Sequence, residues 1–307
     1  MAFTEIFYIE PLAPFSLELS AQIFLSLNRR VRSFSDDVFS QVLRVNGNLV
    51  LAEIKSKGTI NKPKLEIQLT SNQPITTQTF QRAKESIEYI FNLNFDLNSF
   101  YKQIKGDPIM HKIGQQLRGF KYPTTVTAFE SLVDSIVEQQ ISIKIARIIE
   151  ERIAEKFGDK LDLNRLEYYV FPNPQDLSKA SIGDIRSCGL SQRKAEYIYG
   201  SAKMIVDGKL NLELMQKNPD LAAVIAELDE IKGVGIWTAE LTLFRGMQRL
   251  DVLPADDFGI RRVISHYYCG DKPVKAAETR KIAEAWGECR GLAAFYLLSA
   301  EANGVVV

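Results

Sequence analysis

One stretch narrows what this chain can fold into more than any other: Leu228 to Asp257, LDEIKGVGIWTAELTLFRGMQRLDVLPADD. A helical pattern ends near Glu230, Gly233-Val234-Gly235 follows, and a second apolar-periodic run extends from Trp237 to Phe244. Two glycines one residue apart between helices make a turn too tight for side chains on its inner wall. The backbone N–H groups of that turn, with those of the next helix's first turn, lack intrahelical acceptors and sit at a positive dipole end. Such a place binds anions, and a phosphate fits it. Further on, Pro254-Ala255-Asp256-Asp257 sets two carboxylates at the start of another helical pattern. A phosphate anchor followed by a reserved carboxylate is the constellation that any function has to explain.

The rest of the composition sets bounds around it. A chain of 307 residues is long enough for two domains, and 46% apolar with 25% charged residues is ordinary for a globular protein. Lysine plus arginine equals aspartate plus glutamate at 38 each, so no global positive charge advertises nucleic acid. A neutral total can still hide a charged face. Arg193, Lys194, Arg245, Arg249, Arg261, Arg262 and Arg290 are the residues that could form one. No apolar run reaches the roughly 18 residues of a membrane span. The N-terminus lacks the basic start of a secretory signal, so an intracellular, cytoplasmic or nucleoid-associated protein is expected. Cys188, Cys269 and Cys289 stand apart with no paired spacing. They fit a reducing compartment as buried small residues, and cannot supply a four-thiolate cluster. His111 and His266 are lone histidines, best read as surface or core residues, so no metal site is expected.

Periodicity divides the chain in two. Residues 1–95 read as an α+β domain. Period-two strands are expected at Phe3–Ile9, Phe15–Leu19, Gln41–Val45, Leu49–Ile54 and Pro63–Thr70, and a helix over Thr76–Phe91. Asn46-Gly47 joins two of these strands as a hairpin turn. Residues 96–307 read as almost entirely helical. Asp107-Pro108 and Thr127 open helices, an apolar stripe runs from Phe129 to Ile141, and three helical segments close the chain after the aspartate pair.

LxxIKGVGxWTA followed by LPADDFGIRR resembles the helix-hairpin-helix DNA glycosylases, and most of all the AlkA-type 3-methyladenine DNA glycosylases. The likeness recurs in TAFESLVDSIVEQQIS (Thr127 to Ser142) and in GLSQRKAEYI (Gly189 to Ile198), and covers roughly residues 100 to 300. It implies a mainly α helix-hairpin-helix glycosylase domain behind an N-terminal α+β domain. The implied activity is monofunctional excision of alkylated purines in base-excision repair, by base flipping and hydrolysis of the N-glycosidic bond. Glycosylases for oxidised or deaminated purines, and a non-catalytic hairpin module that only binds DNA, are the alternatives.

The family pattern assigns roles residue by residue. Asp257 matches the catalytic aspartate. A carboxylate near C1′ stabilises an oxocarbenium-like sugar and orients the attacking water. Aspartate before a helix also caps it, and Asp256 is taken as the cap of this pair. Gly233, Val234 and Gly235 match the phosphate clamp, with the Thr238 hydroxyl joining the same phosphate. A monovalent cation bridging hairpin and phosphate is the one cofactor the likeness allows. Trp237 occupies the position where family members that also cut the backbone carry a Schiff-base lysine, which implies base release alone. Its indole either stacks on the everted base or belongs to the core. Gln140, or its neighbour Gln139, matches the wedge that fills the hole left in the duplex. Leucine is common at that position, so the polar wedge departs from the pattern. Leu241 and Leu298 stand where aromatic pocket walls would be expected, which weakens the case for stacking on cationic bases. The expected partner is double-stranded DNA with a damaged base, met by a monomer that needs no membrane.

Overall fold

The computed structural model describes residues 2–24 and 30–306. Strand β1 (Phe3–Ile9) leads to a short helix α1 (Leu17–Ala21), and then come β2 (Arg32–Ser35), β3 (Val38–Val45), β4 (Asn48–Ser56) and β5 (Leu65–Ser71). All pair antiparallel in the order β1-β5-β4-β3-β2. Asn46 and Gly47 make the β3–β4 turn with φ of 50° and 75°, the left-handed pair that such a two-residue hairpin needs. The expected strand at Phe15–Leu19 is instead the start of α1. The Ser16 side chain accepts from the Leu19 amide, and this cap decides the segment against its period-two pattern.

Helix α2 (Thr77–Ile90) lays Ala83, Ile87 and Ile90 on one face of the sheet, closing a core with Leu43, Val50, Ile67 and Leu69. Beyond it the chain is helical as expected: α3 (Leu97–Gln103), α4 (Pro108–Gln116), α5 (Ala128–Glu138) and α6 (Ile143–Phe157). Asp107 and Thr127 cap α4 and α5. A two-stranded ribbon then interrupts, β6 (Lys160–Leu163) paired with β7 (Leu166–Tyr169), which the helical reading had not anticipated. Leu161, Leu163 and Val170 pack on Val42 and Leu51, so the ribbon covers the other face of the N-terminal sheet. Arg44 of β3 reaches across to Asp159 at 2.9 Å.

Helices α7 (Pro174–Lys179), α8 (Ile182–Arg186), α9 (Gln192–Val206), α10 (Leu212–Lys217) and α11 (Leu221–Asp229) precede α12 (Ile236–Met247). The chain ends with α13 (Phe258–Cys269), α14 (Ala276–Ala283) and α15 (Arg290–Ala302). Helix α12 is buried almost all round and divides two cores. Ala239, Leu243 and Met247 face the core built from α5–α11, whereas Leu241 and Phe244 face the one built from α3, α4 and α13–α15. Where α12 crosses α5, a Cβ on Gly246 would lie 2.5 Å from the Ser131 side chain, so the helices meet closely.

Candidate active site

The expected hairpin is the α11–α12 connection. Gly233 sits at φ +89°, and a Cβ there would lie 2.1 Å from the Tyr197 ring of α9. Both the backbone conformation and the close approach demand glycine. Val234 is buried, its amide donating to the Ile231 carbonyl at 2.9 Å. Gly235 differs: its φ of −96° suits any residue, and its Cβ position meets only Asp229 Oδ1 at 3.9 Å. It begins α12 with no side-chain cap, so the first-turn N–H groups meet no side-chain acceptor at an exposed helix end.

Asp257 begins α13. Its Oδ1 accepts from the Ile260 amide at 2.9 Å, and its Oδ2 accepts from Trp237 Nε1 at 3.0 Å. The cap is therefore Asp257 itself and not Asp256, which is exposed. One carboxylate does both jobs because each oxygen has its own partner. Trp237 is half-buried, and its indole N–H is committed to bracing this carboxylate. Beside the pair, a Cβ on Gly259 would stand 3.1 Å from Asp257 Oδ1 and 3.2 Å from Leu298 Cδ2. Sequence reasoning passed over this glycine, which keeps the space between the two open.

The expected wedge residues separate. Gln139 Nε2 donates to the Gly233 carbonyl at 2.8 Å and to Thr238 Oγ1 at 3.0 Å, tying the end of α5 to the hairpin. Lys194 Nζ holds the same turn through the Val137 and Gln139 carbonyls at 2.8 and 2.6 Å. Gln139 is thus a brace, not a wedge. Gln140 projects alone, exposed, from a left-handed backbone at φ 56°. Thr238 is only 2% exposed, and its hydroxyl accepts the Gln139 bond. A chain of hydrogen bonds therefore strings the site together, from the Gln140 turn through Gln139 to the hairpin and from Trp237 to Asp257. Around it, Ile141, Ile236 and Phe258 are exposed, Phe258 to 71%.

The expected pocket residues also separate. Leu298 lines a cavity of about 520 Å³ between the N-terminal sheet unit and the helices, together with Phe24, Tyr122 and Phe295. Leu241 does not, being 1% exposed inside the core of α13–α15. The cavity's polar wall went unread in the sequence. Glu130, Asp134 and Glu138 recur at every fourth residue on α5, an acidic stripe on a helix with no other charged residue. Three of the seven candidates for a positive face are spent on pairs: Arg245 with Glu138 at 2.6 Å, Arg249 with Asp251 at 3.1 Å, and Arg262 with Glu301. Arg193 and Arg290 remain exposed. Glu240, beneath Asp256, is pushed up to about 7 by burial, against the pull of Arg280 at 2.8 Å.

Known proteins resemble this chain in sequence and fold. The chain is 25% identical over 271 residues to the DNA-3-methyladenine glycosylase of Bacillus subtilis, covering 88% of both chains. It is 29% identical to DNA-3-methyladenine glycosylase 2 of Escherichia coli, over 66% of this chain and 67% of that one. Its fold superimposes on a 3-methyladenine DNA glycosylase from Archaeoglobus fulgidus with a TM-score of 0.86, at 26% identity, covering 98% of this chain and all of the other. The pattern described as HhH-GPD superfamily base excision DNA repair protein matches residues 133–289, which hold the hairpin, Trp237 and Asp257. The chain belongs to the HhH-GPD superfamily of base-excision DNA repair proteins.

Proposed function

We propose that this protein is a monofunctional DNA N-glycosylase that releases alkylated purines. The observation that carries the reading is the placement of Asp257, held on both oxygens and reached through Trp237 from the hairpin. Exposed amides at the start of α12 grip a backbone phosphate, either directly or through a monovalent cation. This contact positions DNA without reading its sequence. Gln140 fills the stack from which the nucleotide is drawn, and its amide can pair with the orphaned base. With the sugar facing Asp257, the carboxylate stabilises the cation that grows at C1′ as the base departs, and orients the incoming water. Tryptophan at 237 offers no amine for a Schiff base, so an abasic site is the product. The relatives' names supply the substrate class, and the cavity beside Leu298 supplies room for the base.

The test is incubation with methylated duplex DNA and chromatography of the freed bases. Wild type is expected to release methylpurines, and Asp257→Asn to lose at least about a hundredfold in rate while keeping its DNA affinity. Release undiminished in Asp257→Asn would remove that residue from the mechanism. DNA binding with no release by wild type would leave a binding module. Borohydride trapping of the wild-type protein on DNA would overturn the monofunctional assignment.

A further inference from the structure

The cavity beside Leu298 is lined by more acid than a pocket for a neutral heterocycle needs. Among the described residues, Glu130, Asp134, Glu138, Glu150 and Glu151 face it against Arg32, Arg147 and Arg245. Most of these are already matched. Arg32 of β2 pairs with Glu130. Arg245 of α12 holds both oxygens of Glu138 at 2.6 Å, and although burial opposes its charge, that carboxylate keeps the guanidinium firmly protonated. Arg147 donates to the Ile23 carbonyl. Beside these pairs, whose Arg32 and Arg245 Nε atoms are themselves buried without a partner, stand two acids in no ion pair among the described residues, Asp134 on α5 and Glu150 on α6, helices that pack side by side. Asp134 Oδ1 and Glu150 Oε1 are both buried without a hydrogen-bond partner. An unpaired buried carboxyl oxygen costs free energy, and native proteins keep one where a ligand or function needs it.

The surroundings fix the protonation of the pair. Burial, then Glu150, Glu130 and Glu138, push Asp134 well above the carboxylate range, against the weaker pull of Arg32. Burial and Glu138 push Glu150 up to about 8, against Arg245, Arg32 and Arg147. Two neighbouring acids in such a place cannot both ionise. The cavity walls beside them are flat and aromatic, with Tyr122 and Phe295 at 4.5 Å between ring centroids.

We propose that Asp134 and Glu150 are the specificity-determining pair of this pocket, selecting a planar aromatic cation with an N–H-bearing edge. The inference rests on the glycosylase reading for its biological ligand, an N-alkylated purine that enters carrying positive charge. On entry a pair carboxyl gives its proton to the solvent, and the resulting carboxylate accepts hydrogen bonds from the ligand's N–H edge. A neutral base of the same shape has no charge to replace that proton. The pocket therefore discriminates by charge and donor edge, without the aromatic sandwich that leucine at 298 forgoes.

The experiment uses the full chain and benzamidinium as probe, with benzamide as its neutral counterpart. Binding is followed by calorimetry at pH 7 in two buffers of different ionisation enthalpy, which reports protons released. Wild type is expected to bind benzamidinium at least about tenfold more tightly than benzamide, releasing a substantial fraction of a proton. Asp134→Asn and Glu150→Gln, which keep shape and remove the acid, are expected to abolish both the preference and the release. Thermal melts of both variants at or above the wild-type temperature establish that they fold. Equal binding of the two probes, binding without proton release, or variants that bind like wild type would each overturn the proposal. The methylated-DNA assay separates the two readings. Base release without proton-linked binding sinks this pair alone, and proton-linked binding without base release sinks the glycosylase reading alone.

Discussion

The hairpin with Asp257 and the cavity lined by Leu298 handle charge in opposite ways. At the hairpin the active groups are exposed backbone amides, open to solvent at the start of α12, and one carboxylate whose oxygens each have a donor. In the cavity one oxygen of each of two carboxyls is buried without a hydrogen-bond partner, and burial works against their ionisation. On the proposed reading, the first region is pre-set to meet the standing charge of a phosphate and the charge that develops on the sugar as the bond breaks. The second is arranged for charge that only a ligand brings. Positioning groups can thus be stable in the free protein, whereas selective groups carry a standing cost.

Four substitutions would break or sharpen that contrast. At a fixed pH the largest effect is expected from Gly233→Ala, since the new methyl would collide with Tyr197 at a positive φ. A loss of about 2–3 kcal/mol by denaturant titration is expected, and a loss under about 0.5 kcal/mol would mean that the turn is not locked. Next, Trp237→Phe removes the Asp257 Oδ2 bond and is expected to slow base release about tenfold while leaving DNA affinity unchanged. If affinity fell instead, the indole would belong with the phosphate grip.

Glu150→Gln probes the cavity through pH. The folded pKa, about 8, lies above the ordinary 4.5, so between those values the folded state holds more proton than the unfolded one. Stability conferred by this group is therefore present below about 4.5 and lost as pH rises to about 8, at up to about 1.4 kcal/mol per pH unit. Urea titrations across that window should show the decline in wild type and a flatter profile in Glu150→Gln. Identical slopes would show that the group ionises freely. The smallest effect is expected from Gly235→Val. Its backbone and Cβ space tolerate the change, so stability should hold while DNA affinity drops about fivefold at every sequence tested. A drop confined to one sequence would contradict a backbone contact.

What could be read beforehand followed the range of the interactions. The hairpin, the Asn46-Gly47 turn and the helix caps at Asp107 and Thr127 are local, and their residues spell them out. Local signals misled where a neighbour one residue away had equal chemistry. Asp256 and Asp257 cannot be told apart as caps by spacing, and Gln139 and Gln140 differ only in which one faces the hairpin. Thr238 and Leu241 were misplaced because α12 is buried on nearly every side, so period gives no outward face. The Asp134–Glu150 pair lies on two helices and needs their packing to exist. The acidic repeat on α5 was visible in the residues and passed unread.

The β6–β7 ribbon carries a consequence for how lesions are met. Because it grows from the helical half yet is buried on the N-terminal sheet, with Arg44 and Asp159 joined across the seam, the two halves cannot part without exposing Val42, Leu51 and Leu161. The receptacle between them is walled by residues from both halves. On the proposed glycosylase reading, a damaged nucleotide would meet a mould whose walls are already assembled before it arrives.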